Sequence, residues 1–200
     1  MGVENRPELE PIPQRGHVEA IVGCMFSGKS DELIRRIRRA IYAKKKLQVF
    51  APQVDFRRGE NSVNTYDGLQ EPAITVEHSK DILSLVDDDT DWVAIDEGQF
   101  FDIDLTEVVN ELALRGKRVV VAGLETDFRG EPFEPMATIA RHAEKHEKMH
   151  AQCNECGEEA NNTQRIVNGK PAHFNDEVVV VGADEMYEAR CRKHHEVPRD

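Results

Sequence analysis

Eight consecutive residues decide the fold of this chain: Gly23-Cys24-Met25-Phe26-Ser27-Gly28-Lys29-Ser30. They match the pattern Gly-x-x-x-x-Gly-Lys-Ser of a phosphate-binding P-loop at every fixed position. The two glycines let the backbone turn its N–H groups toward phosphate oxygens. The Lys29 ammonium can reach the terminal phosphates, and the Ser30 hydroxyl is a ligand for the Mg²⁺ that bridges them. The stretch therefore predicts a nucleotide-phosphate site.

The residues on either side of this loop favour the same interpretation. Residues 17–22 read as a short apolar strand. Residues 31–46 predict a helix because Leu33, Ile34, Ile37 and Ile41 recur on one face. A strand, a glycine-rich loop and a helix N-terminus, in that order, form an anion-binding site.

The chain beyond this helix alternates between predicted strands and predicted helices. We predict strands at 47–51, 74–76, 92–95 and 118–122, and a long polar loop at 53–69. We predict helices at 81–86, at 104–115 and from 135 to about 149. This alternation is typical of an α/β fold whose parallel sheet is covered on both faces.

Two acidic residues follow directly after the predicted strand 92–95. Asp96 lies where a P-loop protein places the carboxylate that completes the Mg²⁺ shell. Glu97, beside it, is positioned to take a proton from an attacking hydroxyl or water. The alternative is that both are solvated carboxylates at the end of a strand.

Composition limits the possible partners and compartments. The 200 residues carry a formal net charge of −12, which argues against electrostatic capture of nucleic acid or of an anionic membrane. No apolar run approaches the roughly 18 residues of a membrane span. The proline- and glutamate-rich residues 1–15 lack the features of a signal peptide and predict a disordered lead-in. We expect a cytoplasmic protein.

Three of the four cysteines lie near the C-terminus in two short motifs. Cys153-x-x-Cys156 and Cys191-x-x-His194 provide four ligands for a tetrahedral, structural Zn²⁺. His195 is an alternative fourth ligand, and free thiols are the alternative to a metal site.

The dipeptide Asn168-Gly169 predicts a hairpin. We predict a lead-in at 1–15, a P-loop domain at 16–150, a small β-rich domain at 151–195 and a tail at 196–200, and we expect the P-loop domain to bind ATP without the zinc.

Two further clusters have an ordinary explanation. His142, His146 and His150 are spaced by four residues on the predicted last helix, which fits a second metal site or, more simply, a polar helix face. The arginine pairs at 35–36 and 38–39 predict a solvated or subunit-facing side of the first helix. Cys24 is either a reactive thiol beside Lys29 or an inert part of the loop.

Four motifs in order resemble the type II thymidine kinases. They are the P-loop, Asp96-Glu97-Gly98-Gln99-Phe100-Phe101, the stretch 124–133 reading Leu-Glu-Thr-Asp-Phe-Arg-Gly-Glu-Pro-Phe, and Gly182-Ala183-Asp184 followed by Tyr187 and Cys191. The resemblance runs from about Gly16 to His194. It implies a RecA-like α/β domain, a zinc-bearing lasso domain, and transfer of phosphate from ATP to the 5′-hydroxyl of thymidine or deoxyuridine in nucleotide salvage.

The resemblance also implies roles for individual residues. Glu97 corresponds to the catalytic base. The residues that correspond to ATP contacts are Gly23, Cys24, Met25, Phe26, Ser27, Gly28, Lys29, Ser30, Asp55, Arg57, Asp96, Gly98 and Gln99, with Ser30 and Asp96 also holding Mg²⁺. The residues that correspond to nucleoside contacts are Met25, Leu124, Phe128, Val178, Val179, Val180, Val181, Gly182 and Tyr187. Glu125 and Thr65-Tyr66-Asp67-Gly68 depart from the family pattern.

The resemblance further implies a homotetramer that thymidine triphosphate inhibits. Two other classes of function compete with it on the sequence alone. In a RecA-type ATPase, Glu97 would activate water instead of a sugar hydroxyl. A zinc-ribbon nucleic-acid binder would need a basic face, which this acidic chain does not offer.

Overall fold

The computed structural model of the protein describes residues 16–53, 62–64, 70–179 and 186–199. Its main sheet has six parallel strands in the order β5-β2-β6-β7-β1-β8. These strands are β1 (His17–Gly23), β2 (Leu47–Pro52), β5 (Ile74–Val76), β6 (Trp92–Ile95), β7 (Arg118–Gly123) and β8 (Lys145–Met149). Two short antiparallel strands, β3 (Ser62–Asn64) and β4 (Gln70–Pro72), pair with each other; β3 lies within the range 53–69 predicted as a loop, and β4 directly follows that range.

Four helices cover the two faces of this sheet. They are α1 (Lys29–Tyr42), α2 (Asp81–Leu85), α3 (Leu105–Leu114) and α4 (Met136–His142). On one face, α1 buries its apolar side against Ile21, Val120 and Ala122. On the other face, α3 and α4 pack against alternate residues of the same strands, such as Val119 and Val121. Because both faces are buried at the centre of the sheet, β6 and β7 are apolar along most of their length rather than alternating. The predicted α/β class with a parallel sheet is confirmed.

The last predicted helix is wrong beyond residue 142. Helix α4 ends at His142, and residues 145–149 form strand β8, which pairs in parallel with β1. This strand carries exposed, mostly charged side chains at the sheet edge, so it shows no apolar alternation that would distinguish it from a polar helix. The histidine stripe does not exist, because His142 ends α4, His146 lies in β8 and His150 follows β8.

The arginine pairs of α1 do not all face solvent. Arg35, Arg38 and Arg39 are exposed, as predicted. Arg36 is not: its guanidinium forms ion pairs with Glu19 of β1, Glu32 of α1 and Glu147 of β8. The prediction is wrong for Arg36 because three carboxylates from separate elements meet at its position.

Residues after β8 form small antiparallel sheets. Strands β9 (Ala151–Gln152) and β10 (Glu159–Ala160) pair with each other. Strand β11 (Asn162–Val167) pairs with β12 (Lys170–Pro171) and β13 (Met186–Arg190). The predicted hairpin lies between β11 and β12, where Asn168 and Gly169 have φ angles of 51° and 76°. Across the described ranges, no helix combines the length and apolar character required to cross a bilayer.

The parallel topology places three loops side by side at the carboxyl ends of the central strands. Strands β6, β7 and β1 are neighbours, so their carboxyl ends lie side by side. The loop after β6 begins with Asp96, the loop after β7 begins with Leu124, and β1 runs into the P-loop. Open α/β sheets bind ligands at the carboxyl ends of their strands.

Candidate active site and metal centre

The P-loop is a tight turn between β1 and α1. Gly23 has a φ of 147°, and a Cβ atom there would lie 2.4 Å from the Met149 carbonyl oxygen. Gly28, with a φ of 82°, directly precedes α1. The Lys29 ammonium donates to the Cys24 carbonyl oxygen at 2.8 Å, so the lysine side chain lies along the loop. A side chain at Gly23 would therefore clash with the Met149 carbonyl, and one at Gly28 would be strained by its left-handed backbone.

The two carboxylates predicted after β6 are held in different ways. Asp96 is buried at 5% exposure, and its Oδ1 accepts the Glu97 N–H at 2.9 Å. Glu97 has a left-handed backbone, with φ 50° and ψ 44°. A non-glycine residue in this region is uncommon and is found most often at functional sites. A 3₁₀ turn, Gly98–Phe100, follows at once.

The loop after β7 contains the residues predicted to face the nucleoside. The Leu124 N–H donates to Gln99 Oε1 at 2.9 Å, and Phe128 is buried at 3% exposure. The Arg165 guanidinium lies 5.4 Å from the centre of the Phe128 ring. His195 Nε2 donates to the Phe128 carbonyl oxygen at 2.8 Å. The loop is thus attached on one side to the turn after β6 and on the other to the C-terminal part of the chain.

Several predicted site residues lie elsewhere or outside the described ranges. Val178 and Val179 are outside any strand, and Val179 is 43% exposed. Tyr187 lies in β13, opposite Arg165 of β11. The residues that lie outside the described ranges are Asp55, Arg57, Val180, Val181, Gly182 and the stretch 65–68.

The four predicted zinc ligands come together at the ends of two loops. One ligand atom from each of Cys153, Cys156, Cys191 and His194 lies within 4.8 Å of all the others. Cys156 Sγ and Cys191 Sγ are 3.8 Å apart, and His194 Nδ1 is 3.3 Å from Cys191 Sγ and 3.7 Å from Cys153 Sγ. Ligands about 2.0–2.3 Å from a tetrahedral zinc stand roughly 3.5–3.8 Å from one another. The donor set therefore fits Zn²⁺, and four protein ligands complete its coordination.

The environment of this cluster favours thiolate at one cysteine. Burial raises the pKa of Cys153, but the backbone groups of Cys191, Glu155 and Cys156, together with the His194 side chain, outweigh it and lower the pKa to about 6. A thiolate is the form that binds a metal. The alternative fourth ligand, His195, faces the Phe128 carbonyl instead.

The family model described as Thymidine kinase matches residues 16–195 of this sequence. The chain belongs to the thymidine kinase family. It is therefore an enzyme, a kinase that phosphorylates thymidine with ATP as the second substrate. The resemblance found in the four ordered motifs is confirmed, and the Cys/His cluster near the C-terminus agrees with a zinc-binding part.

The P-loop of this kinase contacts the zinc-binding part directly. The Met25 N–H donates to Thr163 Oγ1 at 3.0 Å, and the Cys24 thiol donates to the Ala160 carbonyl oxygen at 3.4 Å. Cys24 also packs in a small apolar cluster with Ala151, Cys153, Ala160 and Ala189. These contacts connect the P-loop to the zinc-binding part, and the expectation that ATP binds without the zinc stays a prediction.

Sequence reasoning did not find Thr163 or Ala160 in this kinase, because no motif or periodicity links them to a loop about 140 residues earlier. It left two roles open for Cys24. Burial raises the pKa of the Cys24 thiol despite the nearby Lys29 ammonium, so the thiol stays protonated. Cys24 is a packing residue rather than a reactive one.

Proposed function

We propose that this kinase transfers the γ-phosphate of ATP to the 5′-hydroxyl of thymidine or deoxyuridine, with Glu97 as the general base. The observation that supports this most directly is the strand order β6-β7-β1. It sets the loop with Leu124 and Phe128 between the P-loop and Glu97. A nucleoside on that middle loop would have a phosphate donor on one side and a carboxylate on the other.

The proposed ATP site consists of the P-loop and the turn after β6. Backbone N–H groups of the P-loop other than that of Met25, which donates to Thr163, would bind phosphate oxygens, and the Lys29 ammonium would neutralise the terminal phosphates. Ser30 and Asp96 would hold Mg²⁺, since both offer oxygen atoms and Asp96 lies at the end of a strand on the same sheet edge. When bound, Mg²⁺ neutralises the charge that develops on the phosphates. Asp55 and Arg57 complete this proposal from family resemblance alone.

Glu97 suits the role of base because its position is restrained. Its backbone N–H is bound by Asp96, and its Oε2 accepts a hydrogen bond from Gln99 Nε2 at 2.5 Å. A base held in one geometry can accept a proton as the hydroxyl oxygen attacks phosphorus, without first reorganising.

The proposed nucleoside site joins the loop after β7 to the C-terminal part. Phe128 and Leu124 would form the apolar surface against the base, with Met25 from the P-loop beside them. Tyr187 and the segment 178–182 are assigned to the sugar and the base edge from family resemblance. Zinc, bound by Cys153, Cys156, Cys191 and His194, would fix the two ends of this segment and take no part in phosphoryl transfer.

We also propose a cytoplasmic homotetramer that acts in pyrimidine deoxynucleotide salvage, on the basis of family resemblance. Exposed apolar side chains near the edge strand β5 and the end of α1 provide a surface for subunit contacts: Ile41, Tyr42 and Ile74. Light scattering on the purified protein tests the oligomeric state, and a monomer at micromolar concentration would contradict it.

The test of the catalytic proposal is Glu97→Gln. We expect kcat for thymidine monophosphate formation to fall by on the order of 10²–10⁴-fold, the usual contribution of a positioned base, with ATP binding retained. The measurements are product formation from ATP and thymidine, and direct titration of the variant with ATP. Glu111→Gln, on the exposed side of α3, is a control that should keep full activity.

Two results would contradict the proposal. If kcat held while ATP affinity collapsed in Glu97→Gln, Glu97 would be a structural or metal-binding residue. If the wild-type protein released phosphate steadily without nucleoside and formed no nucleotide product, Glu97 would activate water rather than a sugar hydroxyl.

A further inference from the structure

A buried glutamine lies between the loop that carries Glu97 and the loop that carries Leu124. The Gln99 side chain is only 3% exposed. Its Nε2 donates to Glu97 Oε2 at 2.5 Å, and its Oε1 accepts the Leu124 N–H at 2.9 Å. Both ends of the amide are therefore engaged within the protein.

The chemistry of these partners determines which way the amide points. A backbone N–H can only donate, so the Gln99 oxygen must face Leu124. The Gln99 NH₂ group then faces Glu97, whose ionised carboxylate can only accept. Neither a leucine nor an ionised glutamate at position 99 can satisfy both partners in this way.

Two glycines leave the space that this arrangement needs. A Cβ atom at Gly123 would lie 2.6 Å from Gln99 Oε1 and 2.8 Å from Met136 Cγ. A Cβ atom at Gly98 would lie 2.4 Å from Met136 Sδ. Because any side chain at either position would push into this packing, the end of β7 and the turn after β6 fit closely around the glutamine amide.

We propose that Gln99 is a positioning residue that orients the Glu97 carboxylate and connects it to the loop that holds the nucleoside. This inference rests on the proposed role of Glu97 and differs from the ATP contact that family resemblance assigns to Gln99. The amide hydrogen bond selects one rotamer of the Glu97 carboxylate. The bond to Leu124 ties that rotamer to the backbone beside the base.

Gln99→Ala tests the bond to Glu97. We expect kcat to fall on the order of tenfold to a hundredfold, since the base loses its orientation. The KM values for ATP and thymidine should stay close to those of the wild type, because the lost hydrogen bond orients the base and contributes little to substrate binding. A purely structural role would raise both KM values as kcat falls, since the loops on either side of the glutamine would shift.

Gln99→Glu gives an independent signature and preserves the volume of the side chain. It keeps an acceptor for the Leu124 N–H but places a second carboxyl group against Glu97. Two adjacent carboxyl groups share a proton, and the introduced side chain, while it is protonated, would still donate to Glu97. The kcat of Gln99→Glu should therefore decline as pH rises and the shared proton is lost. The kcat of the wild type should show no such decline over the same pH range.

A matched control and a double variant separate the possible outcomes. Gln48 also uses both ends of its amide, donating to the Leu85 carbonyl and accepting the Asp87 N–H, but it lies near the start of β2, away from the carboxyl ends of the strands. Gln48→Ala should keep the wild-type kcat and pH profile. Gln99→Ala should add little to Glu97→Gln if the glutamine acts through that carboxylate.

Failure of this inference is distinguishable from failure of the proposed function. If Glu97→Gln kept its kcat, the base assignment would be wrong, and the inference with it. If Glu97→Gln lost activity while both Gln99 variants kept the wild-type kcat and pH profile, Glu97 would stand as the base and only the positioning role would be overturned.

Discussion

The hydroxyl of Thr163 is one of the links between the P-loop and the zinc-binding part of this kinase. Thr163 is buried, and its Oγ1 accepts the Met25 N–H, an amide in the middle of the P-loop. An amide that loses its partner in a partly buried position costs about 1 kcal/mol or more. At the scale of one residue, the shape of the nucleotide loop therefore depends on a side chain from a different part of the chain.

Thr163→Val should weaken ATP binding about fivefold or more, because valine has the same shape but offers no acceptor to the Met25 N–H. Thr163→Ser is the matched control, since it keeps the hydroxyl and should bind ATP nearly as well as the wild type. The measurement is direct titration with ATP in the absence of thymidine, together with metal analysis to show that zinc is retained. Equal ATP affinity in the valine and serine variants would mean that this hydrogen bond does not shape the loop.

At the scale of elements, β9, β10 and β11 connect the zinc cluster to the P-loop. Ala151 and Ala160 lie in the paired strands β9 and β10 and pack with Cys24 of the loop. Cys153 belongs to the same cluster and is a zinc ligand in our proposal. A substitution that releases the zinc should therefore also disturb the P-loop, although the six-stranded sheet has its own core.

Cys156→Ser should lower zinc content and raise the KM for both substrates. Removing one thiolate weakens metal binding, and in small metal sites that binding free energy is also folding free energy. The thymidine KM should rise because the nucleoside segment loses its attachment, and the ATP KM should rise because Cys24 and Met25 lose their packing.

Metal analysis and kinetics with each substrate varied in turn provide the measurement. His195→Asn is the matched control: its ring faces the Phe128 carbonyl, so the variant should keep full zinc content. An unchanged ATP KM in a zinc-free Cys156→Ser protein would show that the P-loop holds its shape alone.

At the scale of the whole molecule, one buried carboxylate forms ion pairs with basic side chains near the amino ends of neighbouring strands. Glu19 of β1 is 1% exposed and forms ion pairs with Arg36, Arg118 and Lys145, at 2.6, 2.7 and 3.0 Å. Arg118 also stacks over the Trp92 ring at 3.7 Å. Burial raises the pKa of Glu19, but hydrogen bonds from Arg118, His17 and Lys145 outweigh it and lower the pKa from 4.5 to about 2.

This carboxylate should make stability depend on pH. Because its pKa is lower in the folded than in the unfolded state, Glu19 stabilises the fold above about pH 4.5 and loses that contribution as pH falls toward 2. The shift corresponds to about 3 kcal/mol. Glu19→Gln should therefore reduce the free energy of unfolding by about that amount or more at pH 7, since it also removes one counter-charge from the partly buried Arg36 and Arg118 guanidinium groups.

Urea unfolding of the wild type and of Glu19→Gln from pH 7 to pH 2.5 measures this effect. The difference in free energy of unfolding between the two proteins should become smaller as pH falls. Comparing the two proteins cancels the contributions of other carboxylates and of the zinc ligands. Glu111→Gln, in an exposed ion pair, should change stability by under about 1 kcal/mol at any pH. A Glu19→Gln difference of the same size at pH 7 and pH 2.5 would contradict the assignment.

The sequence by itself determined the parts of this kinase that neighbouring residues encode. The P-loop, the acidic pair after β6, the Asn168-Gly169 turn and the two metal-binding motifs each occupy a few consecutive positions, where residue type and spacing carry the chemistry. Most strands and helices were predicted to within a few residues, because buried elements have a clear apolar period. These local signals sufficed for the fold class and the family.

Only the tertiary structure decided which distant residues meet. Strand β8 escaped prediction because a charged edge strand has no apolar period, and its identity depends on backbone hydrogen bonds to β1. The Thr163–Met25 hydrogen bond joins residues 138 positions apart. The Gln99–Leu124 hydrogen bond joins the turn that follows β6 to the loop that follows β7. Arg36 lies in a run of arginines that the sequence does not distinguish, yet three carboxylates from separate elements surround it. Such contacts form because the chain packs one element beside another, and no local pattern records which side chains that packing brings together.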